Sequence, residues 1–257
     1  MPGLEDTPKA GARPRRTGDT VVIDGGYQHR AMHSGNAVQR FWHHTKKLLI
    51  AELLPPDPDD FVIDVGCGSG VITSHLGGLA GKAAGIDGNP LAHEYAVEHF
   101  QKGNVSFIKA LVDENLALPA PPDKIYCLEL IEHIHPEQGL ALLRNLRAMS
   151  APGARMLLTT PNYRSLWPVI EWALDRLTSA PQLDGHQHVA HYHPGRLSAL
   201  AAAGGWEVED MRTVSFLAPW LASASWRLAT RVHYLEAKSG WIPGSIVAGV
   251  FRARRCD

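Results

Sequence analysis

This chain predicts an α/β fold: one mostly parallel sheet with an antiparallel edge strand and a helical lid insertion. Three observations carry that expectation. Short apolar runs bounded by turn signals alternate with segments of helical period from residue 61 to residue 159, the pattern of βαβ units with right-handed crossovers. The first run closes on a glycine-rich turn, Gly66-Cys67-Gly68-Ser69-Gly70, at the carboxyl end where open α/β sheets bind ligands. The 257 residues are 45% hydrophobic and 20% charged, an ordinary globular balance that fills one large domain.

The elements follow in order. Residues 1–37 open on a stretch rich in Pro, Gly and charge with no periodicity, and are expected as a largely flexible tail before a domain over 38–257. A helix is expected from Val38 to Leu54, stopping before Pro55-Pro56. The run Phe61–Val65 reads as a buried parallel strand, and a helix follows from about Val71 to Leu79. Next come a strand at Ala83–Ile86, a helix at Leu91–Phe100, and strands at Val105–Ala110 and Lys124–Leu128. A helix at Pro136–Met149 and a strand at Arg155–Thr159 complete the alternation. Residues 161–193 read as an insertion with one amphipathic helix, since Leu166, Val169/Ile170, Ala173/Leu174 and Leu177 recur at helical spacing. Arg196–Ala203 reads as a helix ending at Gly204-Gly205. Trp206–Val214 and Ser245–Ala253 would be the last strands, the final one at the antiparallel edge.

Composition bounds the partners. A formal net charge of −1 supplies no global field toward nucleic acid. Cys67, Cys127 and Cys256 are odd in number and widely spaced, which argues for a reduced compartment and a cytoplasmic protein. No run approaches the roughly 20 apolar residues of a membrane helix, and the N-terminus lacks a secretion signal's apolar segment. The unusual feature is 14 histidines, of which His133, His135, His186, His188, His191 and His193 fall in two short windows.

The glycine loop gains specificity from two acids. Asp87 closes the next strand in Gly85-Ile86-Asp87-Gly88, where an acidic side chain accepts bonds from the ribose hydroxyls of an adenosine cofactor. Asp64 precedes the loop; it would repel a pyrophosphate but suits a cofactor carrying an ammonium and a sulfonium. VIDVGCGSG followed by GIDGNP resembles motifs I and II of the class I S-adenosylmethionine-dependent methyltransferases, over about residues 60–160. The resemblance implies a single Rossmann-like methyltransferase domain. It further implies that Asp64, Gly66 and Gly68 surround the methionine part of the cofactor and that Asp87 holds the ribose. Leu128 matches a cofactor-contacting position of the ubiquinone-type O-methyltransferases. Lys46 sits where that group carries a basic residue for the cofactor carboxylate, with Lys47 as the alternative after a one-residue shift. The adenine pocket is expected from the Leu111–Glu114 loop.

Glu129, Glu132 and His133 follow the fourth strand of the alternation, whose end in this architecture faces the transferable methyl. Two carboxylates with one or two imidazoles suit Mg²⁺, Mn²⁺ or Fe²⁺, and with no cysteine present a structural zinc site is disfavoured. The string resembles the metal-binding E-x-x-E-H of the ubiquinone 3-O-methyltransferases and of the small-RNA 2′-O-methyltransferases. In the RNA group the fourth ligand is the second histidine of an HxH. Counting back five from His193 lands on His188, and the choice of His188 over His186 or His191 stays open. A cation on two adjacent oxygens lowers a hydroxyl's pKa and aims it at the methyl. His135, His186 or His191 would take the proton.

On the acceptor side, Trp167, Trp172, Trp220 and Trp226 lie in two candidate lid segments, and a lipid-linked or aromatic diol or a stacked sugar would each fit. Peripheral membrane contact is compatible with these tryptophans. Arg252, Arg254 and Arg255 read as a solvated tail. The leading expectation is a divalent-metal-assisted O-methyltransferase of a vicinal diol or catechol on a small or lipid-linked acceptor. One alternative is a metal-free N- or C-methyltransferase with His133 as a base. RNA 2′-O-methylation is another, against which the balanced charge counts. The non-enzymatic alternative is a cofactor-binding regulatory protein.

Overall fold

The computed structural model describes residues 15–17, 20–22, 24–34, 36–177, 188–239 and 243–254. Two short strands, β1 (Arg15–Thr17) and β2 (Thr20–Val22), pair with each other, and helix α1 (Tyr27–Ser34) follows them. All three lie inside the stretch expected as tail. The main alternation then runs α2 (Ala37–Leu53), β3 (Phe61–Val65), α3 (Val71–Gly77), β4 (Lys82–Asp87), α4 (Pro90–Phe100), β5 (Val105–Lys109) and β6 (Lys124–Leu128). A single 3₁₀ turn at Ile131–His133 leads to α5 (Pro136–Met149), β7 (Arg155–Pro161) and the insertion helix α6 (Trp167–Leu177). Helix α7 (Pro194–Ala203), strand β8 (Trp206–Val214), helices α8 (Ala218–Leu221) and α9 (Trp226–Ser239), and strand β9 (Ile246–Ala253) complete it.

Local chemistry sets the helix starts. The Asn36 carboxamide accepts from Gln39 N–H at 2.9 Å and begins α2, and Asn89 does the same for Leu91 N–H at 3.1 Å before α4. Helix α7 begins two residues before the expected Arg196, because Pro194 occupies the first turn, where its missing N–H costs nothing.

The seven strands order as β5-β4-β3-β6-β7-β9-β8. All neighbours are parallel except at β9, which is antiparallel to both β7 and β8. The antiparallel strand thus lies at the expected side of the sheet but one place in, and β8 closes the order. Edge strand β8 carries Glu207, Glu209, Asp210 and Arg212 and a bulge between Val208 and Asp210, features that discourage pairing with another sheet. The central strands are buried on both faces, as parallel strands must be. Ile63, Val65, Ile125 and Cys127 pack toward α5 and α7 with Leu143, Leu146 and Leu197. Val62, Tyr126 and Leu128 pack toward α2, α3 and α9 with Leu49, Ile50, Ile72 and Ala237. Strand order reverses between β3 and β6, which opens a crevice at their carboxyl ends. No helix among the described residues is long and apolar enough to cross a membrane.

Candidate active site

Strand β3 delivers Asp64 to the crevice and the chain then turns through Gly66, Gly68 and Gly70 at φ 71°, 52° and 80°. These left-handed conformations suit glycine, and a Cβ on Gly66 would stand 2.8 Å from Leu130. The N–H groups of Gly66 and Cys67 donate to Ile86 O at 2.8 and 3.2 Å, which fastens the loop to β4. At the end of β4, Asp87 accepts from Gly68 N–H at 2.7 Å and from Asn89 N–H at 2.8 Å. Burial pushes its carboxyl up, and those two bonds oppose the rise. Asp64 is buried and accepts from the Thr73 hydroxyl at 2.7 Å. Burial raises its carboxyl to about 6, against the Thr73 bond and the Lys46 charge.

Lys46 is buried on α2, and its ammonium acts on both Asp64 and Glu129. Lys47 is only half-buried and acts instead on His44 and His75. Leu128 is buried at the end of β6. A further residue comes from α1. Gln28 Oε1 accepts from Ser69 Oγ at 3.3 Å and lies 3.2 Å from where a Gly68 Cβ would stand. His29 Nδ1 meets Tyr95 OH at 2.8 Å and ties α1 to α4. Nothing local in the sequence signals Gln28, because its contact spans 41 positions.

The carboxylates and histidines gather on the other side of the crevice. Glu129 follows β6 at φ 60°, and its N–H donates to Thr159 O at 3.1 Å. Glu129 Oε1 and Thr159 Oγ1 are both buried with no hydrogen-bond partner. Glu132, 1% exposed, accepts from Thr160 Oγ1 at 3.1 Å. Burial, with the like charge of Glu129 behind it, pushes the Glu132 carboxyl up to about 8. Glu132 O accepts from Val189 N–H at 2.9 Å and Ala190 N–H at 3.1 Å, and this seats His188 beside His133 with ring centres 5.0 Å apart. Ligand atoms of Glu132, His133 and His188 all lie within 4.8 Å of one another. The structure therefore brings together three of the four expected ligands, and Glu129 stands outside that group. His191 is exposed and stacked on Tyr163 at 4.0 Å. His186 lies outside the described residues. His135 is exposed and caps α5.

Two residues behind His188 escaped the sequence reading. Its Nδ1 lies 2.5 Å from Glu171 Oε1 and 3.0 Å from Tyr163 OH. The Tyr163 hydroxyl lies 2.9 Å from each Glu171 oxygen. Burial works against charge on His188, but the Glu171 bond and the Glu132 and Glu129 carboxylates raise the imidazole overall. Glu171 could have been noticed as an acid within the apolar stretch Trp167–Trp172. Trp167 is buried against Trp42, with centroids 4.9 Å apart and planes at 27°, and stands 6.3 Å from the His188 ring. Its Nε1 and the Nδ1 of His43 are buried without partners. Trp172 and Trp220 are exposed, while Trp226 packs on Phe41 and His44. Of the four tryptophans expected at the acceptor, Trp167 reaches the cluster.

These donors fit a divalent cation. Two buried carboxylates that repel each other, one with an oxygen lacking any partner, are costly without a positive charge between them. The carboxylate–imidazole set suits Mg²⁺, Mn²⁺ or Fe²⁺. The opposite side of the crevice, with left-handed glycines at Asp64 and an acid closing β4, fits a nucleoside-bearing cation.

Residues 38–210 match the family described as methyltransferase domain. The ubiquinone biosynthesis O-methyltransferase of Schizosaccharomyces pombe is 25% identical over 161 residues, covering 60% of this chain and 58% of the relative. That of Xanthomonas euvesicatoria pv. vesicatoria is 24% identical over 178 residues, covering 68% and 73%. Among solved structures, N-methyltransferase NodS from Bradyrhizobium japonicum with S-adenosyl-L-homocysteine aligns with TM-score 0.57 at 14% identity, over 90% of this chain and 99% of that one. An S-adenosylmethionine-dependent methyltransferase from Mesorhizobium loti aligns with TM-score 0.58 at 14% identity, over 85% and 98%. At such identities the structural likeness concerns the fold.

Proposed function

The chain belongs to the methyltransferase-domain family and is an S-adenosylmethionine-dependent methyltransferase; from that premise we propose that it methylates one hydroxyl of a vicinal diol or catechol, on a small or lipid-linked acceptor, with a divalent cation. The observation that carries this reading is the Glu132–His133–His188 group, its ligand atoms within 4.8 Å, beside the buried Glu129 carboxylate, whose Oε1 has no hydrogen-bond partner among the described residues. The 25% identity to an O-methyltransferase supports oxygen as the nucleophile. Two free, buried cysteines, Cys67 and Cys127, are compatible with a reducing, cytoplasmic setting.

In this reading Asp64 faces the cofactor ammonium and Lys46 its carboxylate. Gly66 and Gly68 would allow the methionine portion close to the backbone, Asp87 would accept from the ribose hydroxyls, and Leu128 would contact the cofactor. Glu132, His133 and His188, with Glu129 adjoining, would hold the cation, whose charge lowers the acceptor hydroxyl's pKa. The acceptor oxygen then attacks the methyl carbon; the C–O bond forms as the C–S bond breaks, and its electron pair stays on sulfur. The released proton would go to His135, His186 or His191, while Trp42 and Trp167 offer a stacking wall for a planar acceptor. Positioning dominates such a displacement.

The test is calorimetric titration of metal-stripped protein with Mg²⁺, Mn²⁺ and Fe²⁺ in the presence of S-adenosylhomocysteine, followed by methyl transfer to a catechol. We expect saturable binding near one ion per chain, lost in Glu132→Ala/His133→Ala, with transfer reduced about a hundredfold or more. Cofactor binding without metal binding would reject the metal-assisted reading and turn attention to amines, carbon nucleophiles and single hydroxyls, with His133 as a base.

A further inference from the structure

The geometry points to Glu171 as a positioning residue that fixes the His188 ring and makes the insertion helix α6 part of the cation site. This inference rests on the cation reading above. Glu171 is 4% exposed on a helix whose sequence, WPVIEWALDRL, is otherwise apolar over its first two turns. A carboxylate kept that far from water needs strong partners, and among the described residues Glu171 has two, Tyr163 and His188. The Tyr163 hydroxyl meets both of its oxygens at 2.9 Å, and His188 Nδ1 meets Oε1 at 2.5 Å.

The bond to Nδ1 decides what the rest of the ring can do. With Nδ1–H donating to Glu171, the neutral imidazole carries its lone pair on Nε2. The backbone just after His188 is set independently, by Val189 and Ala190 donating to Glu132 O. The main chain therefore fixes where His188 stands, and Glu171 fixes how its ring is turned and which nitrogen is free. Carboxylates that orient metal-binding imidazoles in this way commonly contribute 10- to 100-fold in metal affinity.

The element that carries Glu171 matters as much as the bond. Four residues before it and on the same face of α6, Trp167 stacks on the Trp42 indole and stands 6.3 Å from the His188 ring. On the outer face Val169 and Trp172 are exposed. One helix thus presents a carboxylate to the ligand set and an indole to the acceptor wall. Its displacement would remove both together.

The experiment titrates metal-stripped protein with Mn²⁺ in the presence of S-adenosylhomocysteine. It compares wild type with Glu171→Ala, Glu171→Gln, His188→Ala and the Glu171→Ala/His188→Ala double variant. Circular dichroism and S-adenosylhomocysteine affinity serve as controls for folding, and the visible spectrum of the Co²⁺ complex reports the ligand field. We expect Mn²⁺ affinity to fall 10- to 100-fold in Glu171→Ala with S-adenosylhomocysteine affinity unchanged. The amide of Glu171→Gln, which still accepts from Nδ1–H, should restore part of the loss and most of the Co²⁺ spectrum. The double variant should bind no more weakly than His188→Ala alone, because Glu171 acts only through that ring. Unchanged Mn²⁺ affinity in Glu171→Ala, or additive losses in the double variant, would overturn the assignment while leaving the cation site standing. Absence of Mn²⁺ binding by wild type would overturn both.

Discussion

Asp64 has an ordinary carboxyl value of 3.8 that burial raises to about 6 in the folded chain. Between those two values the folded protein keeps a proton that the unfolded chain has lost, so Asp64 costs stability as pH rises through that window and no more above it. A cationic ligand group beside it favours the ionised form and expels the proton. Affinity for S-adenosylhomocysteine, which carries an ammonium, should therefore fall about tenfold per pH unit below about 6 and level off above. Titrations between about pH 5 and pH 7 should show this slope in wild type and a weaker, flat profile in Asp64→Asn. At this scale the sequence was most informative where one loop or strand end places a residue, as for Asp64, Gly66, Gly68 and Asp87. Glu132, His133 and His188 were legible as ligand types, although the meeting of His188 with the other two depends on backbone bonds 57 and 58 positions apart in the chain, from Glu132 O to Val189 and Ala190 N–H. Gln28, Trp42, Tyr163 and Glu171 reach their partners from separate elements, and no spacing rule announces such contacts.

Helix α9 illustrates why some elements were not foreseen. Its buried positions are Ala229, His233, Glu236 and Ala237, small or ionisable residues that give no apolar stripe to recognise. Glu236 nonetheless does a structural task for another element. Its carboxylate, 3% exposed, accepts from Phe216 N–H at 3.1 Å, Leu217 N–H at 2.6 Å and Ala218 N–H at 3.1 Å. The last two are donors that the short helix α8 would otherwise leave unsatisfied, and a charged acceptor meets them at the favourable end of the helix dipole. Glu236→Ala should destabilise the protein by about 2–4 kcal/mol, and Glu236→Gln by less because one carbonyl oxygen remains. Urea unfolding followed by tryptophan fluorescence would measure both, with Trp220 and Trp226 reporting from the affected helices. Among the helices that were foreseen, α2 and α5 begin beside Asn36 and at Pro136 and bury bulky residues such as Phe41, Leu49, Leu142 and Leu143, so their starts and faces were written locally.

The whole molecule shows the limit of reading strands one at a time. The runs at 61–65, 124–128 and 206–214 matched their strands end for end, but pattern alone does not say which strands become neighbours. β9 lies between β7 and β8, buried at every position but Arg252. Phe251, fully buried on this strand, packs in the same core as Ile63, Met156 and Trp206. Phe251→Ala should cost about 3–5 kcal/mol. It should do so in a single cooperative transition, which calorimetric scanning would verify.

The placement of β9 also governs the order of events during synthesis. Thr159 and Thr160, which stand beside Glu129 and Glu132, lie on β7 opposite Ala248 and Val247 of β9. Until residues 246–253 have left the ribosome, β7 presents an open hydrogen-bonding edge and β8 has no strand to pair with. Every ligand-type residue of the crevice is already synthesised by then, yet the wall behind it is unfinished. A chain that has not yet added β9 therefore carries an exposed strand edge directly behind its own ligand-type residues.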